Sequence, residues 1–415
     1  LFLRGMPEDY DDWSDLGNTE WGYEKVLPYL RKLETDLDYS GDFHGSSGPI
    51  IARRHKKKDW LPSQLAFYDA CKSLGFPDGE DQNNPDVTGV GSAPFNNPND
   101  IRWSTNIGYL SMSRHRLNLT IKPNCLTRRV IFEAKKAVGV EVESGGDKFI
   151  VEGKTIIISA GAISSPHILM LSGIGPTEQL DPHGIDVIHH LPGVGQNLRD
   201  HPMLTVTWTT KAGHILDPTS PRAQVMARYT ATGSHLRNDI KLAMNSCATD
   251  PEDFMKPVGV AMNIQLSLAI ASGELTLASP DINIQPNLDF NYFGDEFDLI
   301  RGREAVRKVI TLSEQDAFAD IIKDRINPTE VDVSTDEKLD QWLLKNAKTN
   351  HHVSASCKMG PASDEMAVVD QYGNVHGVEN LMVADASIMP DCIRANTNVT
   401  SMMIGERVSD FIAGQ

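Results

Sequence analysis

A strand, a tight turn and a helix follow one another in residues 155–173, and no other segment restricts the fold as much. Residues 155–158 form a β-branched, mostly apolar run of the kind found in buried strands. Residues 160–162 are small enough for a tight turn, Pro166 suits the first helical position after a capping serine, and Gly173 suits the helix exit. This order predicts one unit of a doubly wound α/β sheet.

Ligands of doubly wound sheets bind at the carboxyl ends of the strands, which places Ala160 and Gly161 near a bound cofactor. The alternative is that these small residues only let the helix pack closely on the strand. Residues 118–121, 138–142 and 149–150 are β-prone and predict further strands around this unit.

Two segments near the carboxyl end place a proton acceptor beside a predicted helix start. Residues 351–360 contain His352, and an imidazole with its unperturbed pKa near ~6.5 accepts a proton around neutral pH. Residues 385–390 precede a segment, 396–412, whose apolar residues recur with helical spacing. A helix N-terminus favours negative charge, so the two segments suit a reaction in which a proton leaves and negative charge develops nearby.

These segments resemble the glucose-methanol-choline (GMC) oxidoreductase family, the FAD-dependent alcohol oxidases and dehydrogenases. Residues 351–360 are similar to the stretch that carries the base in that family, although Val353-Ser354 and Ala355-Ser356 replace its commoner Pro-Val and Gly-Thr. Residues 161–176 resemble its second signature along their whole length. Other similar segments extend the resemblance over the whole chain: residues 4–5, 9–13, 193–202 and 273–279.

The resemblance implies a mixed α/β fold in which two domains are interleaved in sequence. An FAD-binding, doubly wound Rossmann-like domain is expected to comprise residues 110–202 and 366–415. A cap and substrate-binding domain, a sheet covered by helices, is expected to comprise residues 1–109 and 203–365. Within it, residues 275–277 predict a strand and residues 302–314 a helix.

The resemblance also implies the chemistry. His352 is expected to accept the alcohol proton while hydride leaves the carbinol carbon for flavin N5, and Asn396 is expected to hydrogen-bond the substrate oxygen. By residue type alone a lone histidine is more often structural, and only its position within the matched segment favours a base. His351 is expected to point elsewhere, because successive side chains of an extended segment alternate.

Contacts to FAD follow from the same resemblance. Leu126 is expected to hold the adenine through its backbone amide and carbonyl. Asp385 and Ala386 are expected near the ribityl chain and the pyrophosphate. Asn398, with Thr397 before it, is expected to present a backbone N–H to the flavin at the start of the terminal helix.

Relatives in this family begin with a strand-turn-helix that bears G-x-G-x-x-G, and this sequence starts just beyond that point. At least one βαβ unit of roughly 30 residues is therefore expected to precede Leu1, so that the chain alone should bind FAD poorly. The alternative to an enzyme is a truncated, non-catalytic fragment or binding module that lacks the pyrophosphate cradle.

Composition excludes other classes of function. The formal charge of −17 argues against nucleic-acid binding, and the basic run at residues 53–58 is most simply a solvated surface patch. No apolar stretch approaches ~18 residues, so no transmembrane segment is expected. Five cysteines without C-x-x-C spacing suggest a reducing compartment, here the cytoplasm.

The matched segments also contain His201, His351, Cys357 and Cys392. His351, His352 and Cys357 are not expected to bind a metal, since adjacent histidines do not easily reach one ion. Cys357 and Cys392 are expected to be small buried residues. His201 is expected either to line the substrate side or to hold its loop.

The substrate is expected to be a small-molecule alcohol. The electron acceptor is expected to be either dioxygen or a quinone-type molecule.

Overall fold

The computed structural model describes residues 1–414, in which helices and strands alternate irregularly along the chain. The helices are α1 Pro7–Asp15, α2 Tyr23–Lys32, α3 Pro62–Ser73, α4 Ser111–Ser113, α5 Gly161–Leu171, α6 Thr177–Leu180, α7 Glu296–Ser313, α8 Asp336–Asn346 and α9 Thr397–Ala413. The strands are β1 Glu34–Asp36, β2 Ile50–Arg54, β3 Gly89–Ser92, β4 Pro94–Phe95, β5 Leu126–Glu133, β6 Lys136–Ser144, β7 Asp147–Glu152, β8 Ile156–Ile158, β9 Ile174–Gly175, β10 His189–His190, β11 Pro202–Thr210, β12 Val225–Tyr229, β13 Ile240–Thr249, β14 Pro257–Leu266, β15 Glu274–Thr276, β16 Asn287–Asp289, β17 Ile322–Asn327, β18 Lys348–Thr349 and β19 Leu381–Val383. The mixed α/β class predicted from the sequence is confirmed.

The largest sheet has seven strands in the order β17–β11–β14–β13–β12–β3, with β18 also paired to β11. Its neighbouring strands run antiparallel. Side chains alternate between the two faces of a strand, so Ile240, Leu242 and Met244 of β13 pack into one core. Lys241 therefore faces the opposite side, toward the amino end of α9.

Helices α3, α7 and α8 cover the apolar face of this sheet. In α7, Ala305, Val309 and Leu312 are buried at near-helical spacing and form its sheet-facing stripe. Asp295 caps the amino end of α7 by accepting the backbone N–H of Phe297 at 2.8 Å. The sheet thus has one apolar face covered by helices and one polar face that borders the candidate site.

A second core surrounds the short parallel pair β8–β19, with α5 following β8 and α9 following β19. Helix α5 begins directly after the carboxyl end of β8. The amino terminus of α9 lies close to the polar face of the large sheet, where Lys241 of β13 contacts Asn396. This arrangement positions the residues of the candidate site.

Most elements predicted from the sequence are present. The predicted strands and helices coincide with β6, β7, β8, β15, part of α7 and α9. Residues 118–121, in contrast, form no strand, because they are exposed and pair with no other described segment. Ile157 of the predicted buried strand is 44% exposed, so only its two neighbours in β8 are buried.

The predicted start of α5 is wrong. The helix begins at Gly161, and Pro166 lies inside it rather than at its first position. Proline has no N–H to donate to the carbonyl four residues earlier, which belongs to Ala162. The Ser356 hydroxyl donates to that carbonyl at 2.5 Å instead. A contact from a distant segment thus compensates for the missing helical hydrogen bond, and sequence spacing does not show it.

The basic run at residues 53–58 is only partly a solvated patch. Lys56, Lys57 and Lys58 are exposed, as expected, but Arg54 is buried and its Nη1 lies 2.6 Å from Asp36 Oδ1. Arg54 is part of a buried ion network because its strand, β2, lies inside the amino-terminal region.

His44 is the centre of that network. Its Nδ1 lies 3.2 Å from Glu34 and 3.1 Å from Asp36, and its Nε2 lies 2.8 Å from Asp81. Burial works against the charged imidazole, but hydrogen bonds to the three carboxylates outweigh it and raise the pKa of His44 to about 10. The charged histidine therefore stabilises the fold fully below its ordinary pKa of about 6.5, and this contribution is lost as pH rises through about 10.

We expect His44→Gln to lower the free energy of unfolding at neutral pH by about 1.5–3 kcal/mol, because it removes the charged hydrogen bonds of one cation from three carboxylates that keep only Arg4 and Arg54 as ion-pair partners. The difference from the unmutated protein should shrink as pH rises toward about 10, where His44 itself loses its charge. Denaturation by urea at several pH values measures both effects. His115→Gln, at an exposed position, is the control. A difference that stays constant over this range would contradict the role of His44.

Candidate active site

His352 and Asn396 meet although they come from different parts of the chain. Asn396 Nδ2 lies 2.6 Å from His352 Nε2. His352 follows β18 and is held by its own backbone N–H, which donates to Asp200 Oδ1 at 2.9 Å. Asn396 is the N-cap residue of α9, with extended backbone angles, and its side chain does not cap the helix. The amide is therefore free to face the imidazole.

Lys241 determines which way the Asn396 amide points. The Lys241 amine donates to Asn396 Oδ1 at 3.0 Å, so the NH₂ group of the amide must face His352. His352 Nε2 then accepts a hydrogen bond and carries no proton. The proton of the neutral imidazole is on Nδ1, which lies 2.9 Å from Nδ1 of His201.

The buried surroundings keep both imidazoles neutral. Burial is the main cause that lowers the pKa of His352 far below its ordinary range, and the neighbouring His201 and Lys241 lower it further. Burial, again followed by Lys241, also lowers the pKa of His201. His352 is therefore present as a free base with its lone pair on Nε2, the nitrogen that faces Asn396.

Asp200 holds this pair of histidines in place. Its Oδ1 accepts the backbone N–H groups of His201 and His352, and its Oδ2 accepts the Tyr292 hydroxyl at 2.5 Å. Three donors thus satisfy one buried carboxylate. Of the two roles predicted for His201, these contacts support the structural one, and they also bring its ring against His352.

The amino end of α9 suits the electron-rich end of a flavin. The first amides of a helix have no partner within the helix, and no side chain caps this one. Thr397 and Asn398, the first two residues of α9, are half-buried beside His352 and Asn396. The backbone amide of Asn398 points along the helix axis, as in the first turn of any helix, while its side chain donates to the carbonyl of Leu1 at 3.2 Å.

Asp385 connects the start of α5 to the short 3₁₀ turn at Ala386–Ile388, which follows β19. Its Oδ2 accepts the Gly161 backbone N–H at 2.9 Å and the Ser165 hydroxyl at 2.5 Å, and its Oδ1 accepts the Ser387 N–H. Gly161 has φ +86°, a conformation that favours glycine. Asp385 therefore acts by fixing the backbone at the carboxyl ends of β8 and β19.

Two other residues expected at the cofactor, Ala160 and Ala386, directly follow β8 and β19, whereas Leu126 belongs to a separate sheet. Ala160 is exposed beside Gly161, and Ala386 is buried, its carbonyl accepting the N–H of Ala355 at 3.0 Å. Leu126, at the start of β5, is 39% exposed. Exposed small and apolar residues here, together with an uncapped helix, fit the binding of a dinucleotide cofactor with planar rings.

His351 and the cysteines do not join this site. His351 is exposed and turns away because its backbone has φ +59°, so a left-handed residue rather than strand alternation separates it from His352. Cys357 and Cys392 are buried free thiols. Within residues 1–414 the one cluster with metal-ligand spacing is Glu34, Asp36 and His44, which belongs to the ion network described above. No helix of that part of the chain is long and apolar enough to cross a membrane.

We expect Asp385→Ala, in a protein complete with its dinucleotide-binding segment, to weaken flavin retention, because Gly161 and Ser165 lose their shared acceptor. The measurement is the flavin absorbance that stays with the protein after gel filtration. Asp385→Asn, which keeps one carbonyl oxygen, should retain more flavin than the alanine variant. Retention at the unmutated level in Asp385→Ala would remove this residue from the cofactor site.

Family models and curated relatives match the chain over nearly its whole length. Models described as GMC oxidoreductase match residues 1–203 and residues 269–405. The chain is 36% identical to an oxygen-dependent choline dehydrogenase of Pseudomonas putida, over all of this chain and 78% of the relative. It is 34% identical to the oxygen-dependent choline dehydrogenase of Pectobacterium carotovorum, over 99% of this chain and 78% of the relative.

Solved structures show the same fold. Pyridoxine 4-oxidase from Mesorbium loti superposes with a TM-score of 0.91 at 25% identity, covering all of this chain and 82% of that one. A formate oxidase variant from Aspergillus oryzae, whose FAD modification was studied, gives 0.88 at 24% identity, with the same shares covered. The mixed α/β architecture expected from the resemblance is therefore the one found in these two oxidases.

Proposed function

This chain belongs to the GMC oxidoreductase family, and we propose that His352 and Asn396 carry out its reaction, the FAD-dependent oxidation of an alcohol. The family and the named relatives make it an oxidoreductase that acts on CH–OH donors with FAD as cofactor. They favour this function over a non-catalytic binding module. The observation that supports the two residues is the 2.6 Å contact between the Asn396 amide and His352 Nε2.

His352 is proposed as the base because its Nε2 has a free lone pair. In the Nδ1–H form enforced by Asn396 and His201, this nitrogen accepts a proton from a substrate hydroxyl that replaces or joins the amide contact. The depressed pKa keeps the base in its accepting form at neutral pH. Burial also removes water that would compete for the hydroxyl.

Asn396 is proposed to position the substrate. An amide has both an acceptor and two donors, and Lys241 occupies the acceptor at 3.0 Å. The NH₂ group is left to donate to the substrate oxygen, which orients the carbinol carbon relative to the base. Asn396 itself takes no proton.

Residues around the helix starts are proposed to hold FAD. The backbone amides of Thr397 and Asn398 would lie against the flavin, and Asp385 would fix Gly161 near the pyrophosphate. Leu126, Ala160 and Ala386 complete the proposed contacts, with adenine at Leu126. Bound FAD supplies the two-electron acceptor that takes the hydride from the alcohol.

Three further properties remain proposals. The proposed division assigns residues 110–202 with 366–415 to FAD, and 1–109 with 203–365 to the cap and substrate. The large-sheet core supports the second unit, but residues 2–52 pack in the core of the FAD-binding segments. A cytoplasmic location accords with the free cysteines. Dioxygen is one acceptor to test first, since two relatives are named as oxygen-dependent.

We expect His352→Ala to slow flavin reduction by an alcohol about 10²–10⁴-fold while the flavin stays bound, because only the base is removed. Anaerobic stopped-flow of the FAD-loaded, full-length protein follows the loss of the oxidised flavin band. His351→Ala, next to the base but exposed, is the matched control and should reduce at the parental rate. Parental rates in His352→Ala would contradict the assignment of the base.

We expect kcat/KM for an uncharged alcohol to stay nearly constant as pH falls from about 8 to about 6, because kcat/KM reports the pKa of the free enzyme's base. The pKa of His352 lies below its ordinary value of 6.5, so the imidazole stays unprotonated over this range. Steady-state rates at constant ionic strength provide the test. A tenfold loss per pH unit beginning near pH 6.5 would show that His352 titrates normally.

A further inference from the structure

Asp200 is a buried carboxylate that is held by neutral groups. The residue is 5% exposed, and the donors that reach it are two backbone N–H groups and the Tyr292 hydroxyl. The preceding residue, Arg199, pairs with Asp391 at 3.1 Å instead, and no cation of residues 1–414 lies at ion-pair distance from Asp200. Hydrogen bonds from neutral donors stabilise a buried charge without cancelling it. The negative charge of Asp200 therefore acts on the groups around it.

Two imidazoles lie close to this charge. Asp200 accepts the backbone N–H of His352 at 2.9 Å, and His201 is the next residue along the chain. Burial and then Lys241 lower the pKa of His201 to about 4, and the charge of Asp200 acts against both. The two rings meet through their Nδ1 atoms at 2.9 Å. A positive charge on this pair of rings would therefore be stabilised by Asp200.

The backbone on either side of Tyr292 has an unusual conformation. Asn291 has φ +50° and Phe293 has φ +59°, in the left-handed region that a bulky residue such as phenylalanine rarely adopts. Phe293 is buried in the core of the large sheet, whereas the Tyr292 hydroxyl reaches Asp200 Oδ2 at 2.5 Å. Strained residues persist where the surrounding contacts enforce them, and they concentrate at functional sites. The strain here accompanies the contact that fixes the Asp200 carboxylate.

Proton transfer at this site creates a positive charge in buried surroundings. When the O–H bond of the alcohol breaks and an N–H bond forms at His352 Nε2, the neutral imidazole becomes an imidazolium. Burial opposes that charge, and so do His201 and Lys241. A carboxylate held near the ring favours it, which makes Asp200 suited to assist the base.

We propose that Asp200 and Tyr292 form a positioning pair for His352, in which the Tyr292 hydroxyl fixes the Asp200 carboxylate and the carboxylate stabilises the imidazolium formed during alcohol oxidation. The inference rests on the proposed function, because it takes His352 as the base. Both residues act through His352. A purely structural role would require only the hydrogen bonds of Asp200, whereas the proposed role also requires its charge.

Asp200→Asn separates the charge from the hydrogen bonds. Its amide oxygen can accept both backbone N–H groups, and its NH₂ group can donate to the oxygen of Tyr292. The FAD-loaded, full-length protein is mixed anaerobically with choline, benzyl alcohol or butan-1-ol in a stopped-flow instrument. We expect the limiting rate of flavin reduction to fall about tenfold or more, while the substrate Kd and the flavin content stay at the unmutated level. The solvent deuterium isotope effect on this rate should rise, because proton transfer to His352 becomes the slower event.

Tyr292→Phe removes the hydroxyl and keeps the ring that stacks on Phe290. We expect a smaller fall in the limiting rate than in Asp200→Asn, because the charge remains but is less firmly held. Tyr68→Phe and Asp78→Asn are the matched controls, since this tyrosine also donates its hydroxyl to this aspartate, at the protein surface. Both controls should reduce the flavin at the parental rate.

The outcomes distinguish the positioning pair from a structural contact. A parental limiting rate and isotope effect in Asp200→Asn would overturn the proposal, because the hydrogen bonds alone would then be sufficient. If Asp200→Asn loses its flavin, Tyr292→Phe provides the test, and a parental rate and isotope effect in that variant would overturn the pair.

The experiment also distinguishes this inference from the proposed function. If no alcohol reduces the flavin of the unmutated protein, alcohol oxidation itself fails and the inference fails with it. If an alcohol reduces the flavin in a reaction that depends on His352, but Asp200→Asn and Tyr292→Phe behave like the unmutated protein, the proposed function stands and only the positioning pair is refuted.

Discussion

The hydrogen bond between Asn396 and His352 is the contact on which the candidate site depends. It joins the start of the last helix to a loop beyond the large sheet, and it is the middle link of a series that runs from Lys241 to His201. Each link fixes the donor and acceptor roles of the next. A change at either end would therefore alter the protonation pattern of the base without touching the base itself.

The sequence predicted the site better where motifs are local than where partners are distant. The resemblance of residues 351–360 and of the start of α9 to family segments predicted His352 and Asn396, and the structure brings these two side chains into contact. Their catalytic roles stay predictions. Lys241 was missed. Its sequence signal was a single polar residue between Ile240 and Leu242, and alternation shows only that it faces away from their core. Which element that face meets is decided by tertiary packing.

The errors in the fold have the same origin. Pro166 indicated a helix start by its own preferences, yet a hydroxyl from a segment almost two hundred residues away supports it inside α5. Arg54 was read as part of a solvated run, yet β2 carries it into a network with His44 and Asp36. Local rules predicted the types of most elements correctly, and long-range hydrogen bonds decided the exceptions.

The large sheet has an apolar face that packs on its helices and a polar face toward the reacting groups. The alternation of side chains along each strand assigns every residue to one face or the other. A one-residue shift in the register of β13 against its neighbours would place Ile240 or Leu242 where Lys241 now lies. The face toward the site would then be apolar at this position. The alignment of the strands therefore affects the chemistry of the site as well as the stability of the fold. Helices α3, α7 and α8 pack on the opposite face of the sheet, so they help to keep this alignment without contacting the active site.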